Sequence, residues 1–310
     1  MNRPLLEHRL IFVTGKGGVG RSTVSGALGL AAAQRGMRTI VAELTGERCV
    51  AHAFGIKDAK PFTELELAPR LFTISISPER AMDEYLRVKV PGPLGHLLAQ
   101  SHLFHHFAMA TPGMRELLCL GKAWELAQTH RRSRGGEPYD LVIVDAPATG
   151  HGVGALKTPR MFSEIARVGP IAHQGQTIAR TIADADFTAI VAVCTPEEMP
   201  VTETLELHGA LAQERLELDA VVLNARYPNR FADAEMPILQ RAASSPLDKP
   251  LQSAIQSALS EHQRAAIQAG QEQRLRAEFE GPVLTLPFVF APAIGPEQLR
   301  LLATWLQEGL

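Results

Sequence analysis

The run Gly15, Lys16, Gly17, Gly18, Val19, Gly20, Arg21 and Ser22, extended by Thr23, holds the most concentrated chemistry in the chain. Gly15, four residues, Gly20, a basic residue and a hydroxyl follow the phosphate-binding loop pattern, with Arg21 where lysine is usual. Gly17, Gly18 and Gly20 let the backbone curl so that successive N–H groups converge on an anion, and a helix starting near Arg21 adds its positive end. A triphosphate fits that cradle. Ser22 is placed to offer its hydroxyl to Mg²⁺, and Thr23 to hydrogen-bond an α-phosphate oxygen. Arg21 keeps the charge but replaces a compact ammonium with a planar fork, which preserves phosphate contact and alters the geometry near a γ-phosphate. Lys16 brings a second cation, able to stabilise charge that develops on the β and γ phosphates during transfer.

A second stretch, YDLVIVDAPATGHG from Tyr139 to Gly152, is an apolar strand that ends in Asp145 and runs into a loop of small residues. An acid at that point is where a Mg²⁺-associated carboxylate belongs.

Positioning these groups requires strands that stop at the loops and helices that start there. Short β-branched runs alternate with longer helical patterns, which predicts an α/β fold: a doubly wound, mostly parallel sheet with helices on both faces. Strands are expected at Leu10–Thr14, Thr39–Leu44, Leu71–Ser77, Leu141–Asp145, Thr188–Cys194, Ala220–Leu223 and Val283–Leu286. Most are continuous apolar runs suited to burial on both faces, whereas LFTISIS alternates and is expected nearer an edge. The stretch 78–138 reads as a helical subdomain inserted into a single domain spanning 1–310, with breaks at Pro91-Gly92-Pro93 and Thr111-Pro112-Gly113. Further helical stretches are expected from about Lys157 to Ala183 and from about Pro237 to Glu280.

With these residues in view, GKGGVGRST resembles the deviant phosphate-loop superfamily, and DAPATGH, departing only at Ala148, resembles its branch of ArsA-type and tail-anchored-protein-targeting ATPases. TPGMRELLCLGKAWEL, VCTPEEMPVTETLEL, VVLNARYP and the C-terminal LPFVFAPAIGPEQL are similar to further segments of that branch. The resemblance implies an ATPase that binds ATP and Mg²⁺ and works as a dimer, in which Lys16 reaches the partner's nucleotide. It implies that Asp145 holds Mg²⁺ through water, that the loop around Gly150 senses the γ-phosphate, and that Asn224 contacts adenine. An Asn amide offers the base edge a donor and an acceptor, although a strand-end Asn also caps turns.

Where the family places a water-positioning aspartate, this chain reads AELTGERC, with Thr45 at the corresponding place; Glu43 or Glu47 is the substitute expected for that catalytic duty. Arg21 and Thr45 therefore motivate a second reading, a nucleotide-binding pseudo-ATPase or the regulatory half of a heterodimer. The partner is thus a second copy or a related ATPase.

A balance of 31 basic and 33 acidic residues gives a net charge of −2, which argues against nucleic acid as a partner. No apolar run is long enough for an integral membrane segment, no secretory leader is read in Met1–Glu7, and a cytoplasmic location is expected. Leu94, Leu97, Leu98, Phe104 and Ala108 recur at helical spacing, with Met82, Met109 and Met114 nearby, a stripe that serves as core or as a groove for a hydrophobic helical client. His102 and His106 share a helix face without an adjacent third ligand. Cys49, Cys119 and Cys194 are scattered, which is poor support for a third reading, the ATPase subunit of an arsenite efflux pump.

Overall fold

The computed structural model describes residues 3–44, 46–89, 101, 106, 108–131, 137–147, 149–166, 170–232 and 234–309. Thr45, Ala148, His102, Leu94, Leu97, Leu98, Phe104 and the Pro91-Gly92-Pro93 break lie outside the described residues.

Eight strands form one sheet: β1 (Leu10–Gly15), β2 (Thr39–Glu43), β3 (Leu65–Ala68), β4 (Leu71–Ser75), β5 (Leu141–Asp145), β6 (Thr188–Cys194), β7 (Ala220–Arg226) and β8 (Val283–Pro287). Their order is β3-β4-β2-β5-β1-β6-β7-β8, parallel throughout except for β3, which pairs antiparallel with β4. All residues of β1, β2, β5 and β6 are buried, as expected for strands covered on both faces. Successive side chains divide between two cores with period two. Leu10 and Phe12 join Val142, Val144, Ile190 and Ala192 in one, while Ile11 and Val13 join Ile143, Val191 and Val193 in the other. LFTISIS, expected nearer an edge, forms β4 one place in from it, because the short strand β3 covers its outer side.

The described helices are α1 (Arg21–Gln34), α2 (Cys49–Ala53), α3 (Pro78–Lys89), α4 (Met114–Leu126), α5 (Thr149–Ala166), α6 (Pro170–Ile182), α7 (Glu198–Gln213), α8 (Met236–Ala243), α9 (Lys249–Glu278) and α10 (Pro296–Gly309). Helix α1 is alanine-rich and buried from Val24 to Ala33, because it lies close against the sheet: a β-carbon at Gly29 would come within 2.9 Å of Leu71 and Val41. Helix α10 covers the same face through Leu299, Leu302, Ala303 and Leu306. On the opposite face, Leu117, Leu120, Ala123, Trp124 and Leu126 of α4 join the core with Ile178 and Ile182 of α6 and Val201, Leu207 and Leu211 of α7. Met82, Leu86 and Ala108 form a satellite core, against which Met109 and Met114 pack. No helix among the described residues is long and apolar enough to cross a membrane.

Strand β1 lies between β5 and β6. From β1 the chain winds outward through β2 to the β3–β4 edge and later through β6, β7 and β8 to the other. The crevice beyond the carboxyl end of such a reversal is the usual ligand site of an open α/β sheet, and Gly15 opens onto it.

Candidate nucleotide-binding site

The strand-to-helix turn is built by glycines that no other residue replaces. Gly15 has φ +148°, and a β-carbon there would lie 2.2 Å from the Val193 carbonyl oxygen on β6. Gly20 caps α1 in the left-handed region at φ +89°, where a β-carbon would meet the Asn224 amide at 2.3 Å. Gly18 is also left-handed, at φ +86°. Gly17 and Gly18 are exposed, and Val19 is buried as the anchor of the loop. The Val24 N–H donates to the Gly20 carbonyl at 2.9 Å, so the helix begins at the place expected for a phosphate cradle. Thr23 lies in the first turn of α1 and is half-buried.

The loop meets two other strands and a helix. Ser22 Oγ donates to Asp145 Oδ2 at 2.6 Å, joining α1 to the end of β5. Asp145 is 2 % exposed, and its Oδ1 accepts no hydrogen bond. Burial holds this carboxyl above the usual range, opposed by the Ser22 hydrogen bond and the Arg21 charge. The Arg21 guanidinium donates to the Ala146 carbonyl, one residue beyond Asp145. Asn224, on β7, donates its side-chain N–H to the Val19 carbonyl at 2.9 Å, which brings this residue to the rim of the loop. Lys16 Nζ lies 2.7 Å from Glu203 Oε1 on α7.

Glu43 and Asp145 end neighbouring strands and stand directly opposite each other in the parallel register. Their uses differ. Glu43 is fully buried; its carboxylate accepts from the Val50 N–H at 3.0 Å and the Thr73 hydroxyl at 3.3 Å, so it braces the start of α2 against β4. Burial pushes its pKa up to about 7, and the Asp145 charge adds to the effect. Glu47 is exposed on the loop that follows, with its carboxylate 3.6 Å from the Cys49 thiol. Gly150 falls in the first turn of α5.

The donors fit Mg²⁺. A serine hydroxyl and a carboxylate are hard oxygen ligands, and a buried carboxylate oxygen without a partner is a costly arrangement unless something is meant to meet it. The glycine backbone and the N-terminus of α1 supply the matching anion site.

Sequence reasoning brought Lys16, Ser22, Asp145 and Asn224 to one crevice and missed the groups that hold them. Glu203 lies in the TPEEMPVTET stretch; the signal that finds it is that β6 pairs with β1, so the helix after β6 passes the loop after β1. The Ala146 and Val19 carbonyls, being backbone, leave no mark in the sequence. Among the described residues no group of three or more His, Cys, Asp or Glu is arranged to hold a metal ion, and Cys119 and Cys194 are buried in the apolar core with burial pushing both thiols up to about 12.

Comparison with known proteins gives the family. The family model described as anion-transporting ATPase matches residues 8–172 and 165–257. ATPase BagA of Mycobacterium tuberculosis is 32% identical over 247 residues, covering 77% of this chain and 71% of the relative. ATPase GET3 of Candida glabrata is 27% identical over 254 residues, covering 70% and 72%, and ATPase ARSA2 of Chlamydomonas reinhardtii is 24% identical over 260 residues, covering 70% and 68%. A phosphate loop closed by Asp145 at the switch point of a parallel sheet, and a family match across most of its length, place this chain in the ArsA-type anion-transporting ATPase family.

Proposed function

We propose that the chain hydrolyses ATP to ADP and phosphate at the Gly15–Thr23 cradle and acts as a nucleotide-driven dimeric switch for a partner or client. The observation that carries this reading is the Ser22–Asp145 hydrogen bond at 2.6 Å with Asp145 Oδ1 buried and unpartnered beside it. Ser22 and Asp145 would hold Mg²⁺, Asp145 through water; the ion supplies charge neutralisation for the β and γ phosphates.

The chain's own groups then divide the work. Backbone N–H groups from Gly17 to Ser22 orient the phosphates, Arg21 links them to the Ala146 carbonyl, and Asn224 faces the base. Lys16 supplies positive charge to the nucleotide of a second subunit, either another copy of this chain or a related ATPase. Attack of water on the γ-phosphorus breaks the bond to the bridging oxygen. A carboxylate of the 43–47 segment orients that water, with the exposed Glu47 better disposed than the fully engaged Glu43. Release of the γ-phosphate would loosen the segment around Gly150 and pass through α5 to the helices that grip the client.

A second reading is favoured by one contact. Arg21 engages the Ala146 carbonyl, and a guanidinium fixed there serves nucleotide binding without turnover, as in the regulatory half of a heterodimer. MgATP turnover by the purified protein separates the two, with nucleotide binding followed in parallel by a fluorescent ATP analogue. Turnover that falls on the order of a thousandfold in Asp145→Asn establishes the ATPase. Binding without turnover in the unmodified protein establishes the regulatory reading.

A further inference from the structure

Lys16 has a partner within its own chain. Its ammonium lies 2.7 Å from Glu203 Oε1, and the two side chains keep 33% and 32% of their surface in water. Glu203 stands on α7 between Thr202, whose hydroxyl accepts from Arg274 at 2.9 Å, and Thr204, which is buried and bonded back to the Pro200 carbonyl at 2.8 Å, so its backbone belongs to a well-packed helix. The lysine, by contrast, rides on a loop of glycines. A carboxylate rooted in a helix thus meets an ammonium rooted in a glycine loop.

We infer that Glu203 is a positioning residue that holds Lys16 against its own subunit until a polyphosphate displaces it. The inference rests on the reading of Lys16 as the group that reaches a second subunit's nucleotide. A half-exposed ion pair is weak and exchanges readily, whereas a nucleoside triphosphate offers several negative oxygens to the same ammonium. The lysine thus rests on Glu203 most of the time and transfers when a nucleotide-loaded subunit is present to receive it. The pair also ties the phosphate loop to α7, so displacement frees that helix from the loop.

The test uses the full chain and two readouts. The first is the rate at which Lys16 is acylated by an amine reagent in nucleotide-free protein, read by mass spectrometry. The second is the protein concentration at which the Mg²⁺ complex of the non-hydrolysable β,γ-imido analogue of ATP produces dimers, read by light scattering. Glu203→Gln should raise acylation of Lys16 about threefold and lower the dimerisation midpoint about tenfold, one pair being released per subunit. Glu203→Asp, which keeps the charge on a shorter arm, should fall between, and thermal melts report whether either variant is folded. In a Lys16→Ala background, Glu203→Gln should leave dimerisation unchanged.

Unchanged acylation and unchanged dimerisation in Glu203→Gln would overturn the inference, and so would an equal shift in the Lys16→Ala background, which would make Glu203 a structural residue. A different pattern marks failure of the underlying reading. If unmodified protein and Lys16→Ala dimerise alike, or neither dimerises, Lys16 has no role across subunits; control of dimerisation by Glu203 then falls with it, even where acylation shows the pair to exist.

Discussion

Two clusters of buried charge show how the same groups serve different ends. Beside α4, Lys122 is 7 % exposed and bonds to both Glu84 at 2.9 Å and Glu125 at 3.0 Å. Arg131 pairs with Glu64, which also accepts from the Tyr139 hydroxyl at 2.7 Å, and Arg131 lies 3.9 Å from Glu125. Every charge there meets its opposite inside the chain. At the carboxyl ends of β1 and β5 the arrangement is open. Asp145 keeps an oxygen without a partner, and Lys16 is held only by a half-exposed pair. A closed cluster fixes helices to a sheet, whereas an open one stores interactions for a ligand.

Three substitutions can break or sharpen that contrast. Lys122→Met should cost about 3–5 kcal/mol in urea unfolding, since it takes the cation from Glu84 and leaves the buried Glu125 with Arg131 at 3.9 Å. Nucleotide affinity of the folded fraction should not change.

Glu64→Gln should cost about 2 kcal/mol at neutral pH and progressively less in acid. Burial alone would raise the Glu64 pKa, but hydrogen bonds from Arg131 and Tyr139 outweigh it and hold the carboxyl below its ordinary value. A group depressed in the folded state contributes stability above its unfolded pKa, and that contribution is lost as the pH falls through the folded value. The stability difference between Glu64→Gln and unmodified protein should therefore close below about pH 4, the ordinary carboxylate range, as measured by thermal melts across a pH series.

Asp145→Asn should move the other way. In ligand-free protein burial disfavours the charged carboxyl, so a neutral amide should stabilise the fold by on the order of 1 kcal/mol while abolishing any stabilisation by Mg²⁺ and nucleotide. Differential scanning calorimetry with and without MgATP checks both signs. A loss of stability in the ligand-free protein would place Asp145 among the closed, structural charges.

Much of this arrangement was readable from residue types. The run LVIVD specifies β5 to the residue, because four apolar positions followed by a charge leave no other register. Strand β3 was not readable: LELA carries a glutamate and no β-branched residue, and it pairs only because β4 lies beside it at the edge. The start of α5 was placed eight residues late, near Lys157, because Gly150, Gly152 and Gly154 are poor helix formers and tertiary packing overrides them. At the site, glycine spacing and strand ends pointed to Ser22, Asp145 and Asn224, which the structure brings to one loop. The direction of the Glu43 side chain had no such signal, since an acid at a strand end reads alike whether it faces solvent or a buried backbone N–H.

Ser22 and Arg21 are neighbours at the start of α1, and they grip neighbours at the end of β5: Ser22 holds the Asp145 carboxylate and Arg21 the Ala146 carbonyl. Two grips one residue apart make a lever with almost no play. Both grips join the first turn of α1 to the end of β5, and α5 begins three residues beyond Ala146. Helix α5 in turn leans on α4, α6 and α7. The path of contacts from the first turn of α1 therefore ends against α7, the helix whose Glu203 meets Lys16 of the same glycine loop, so the loop is tied into the fold at both ends.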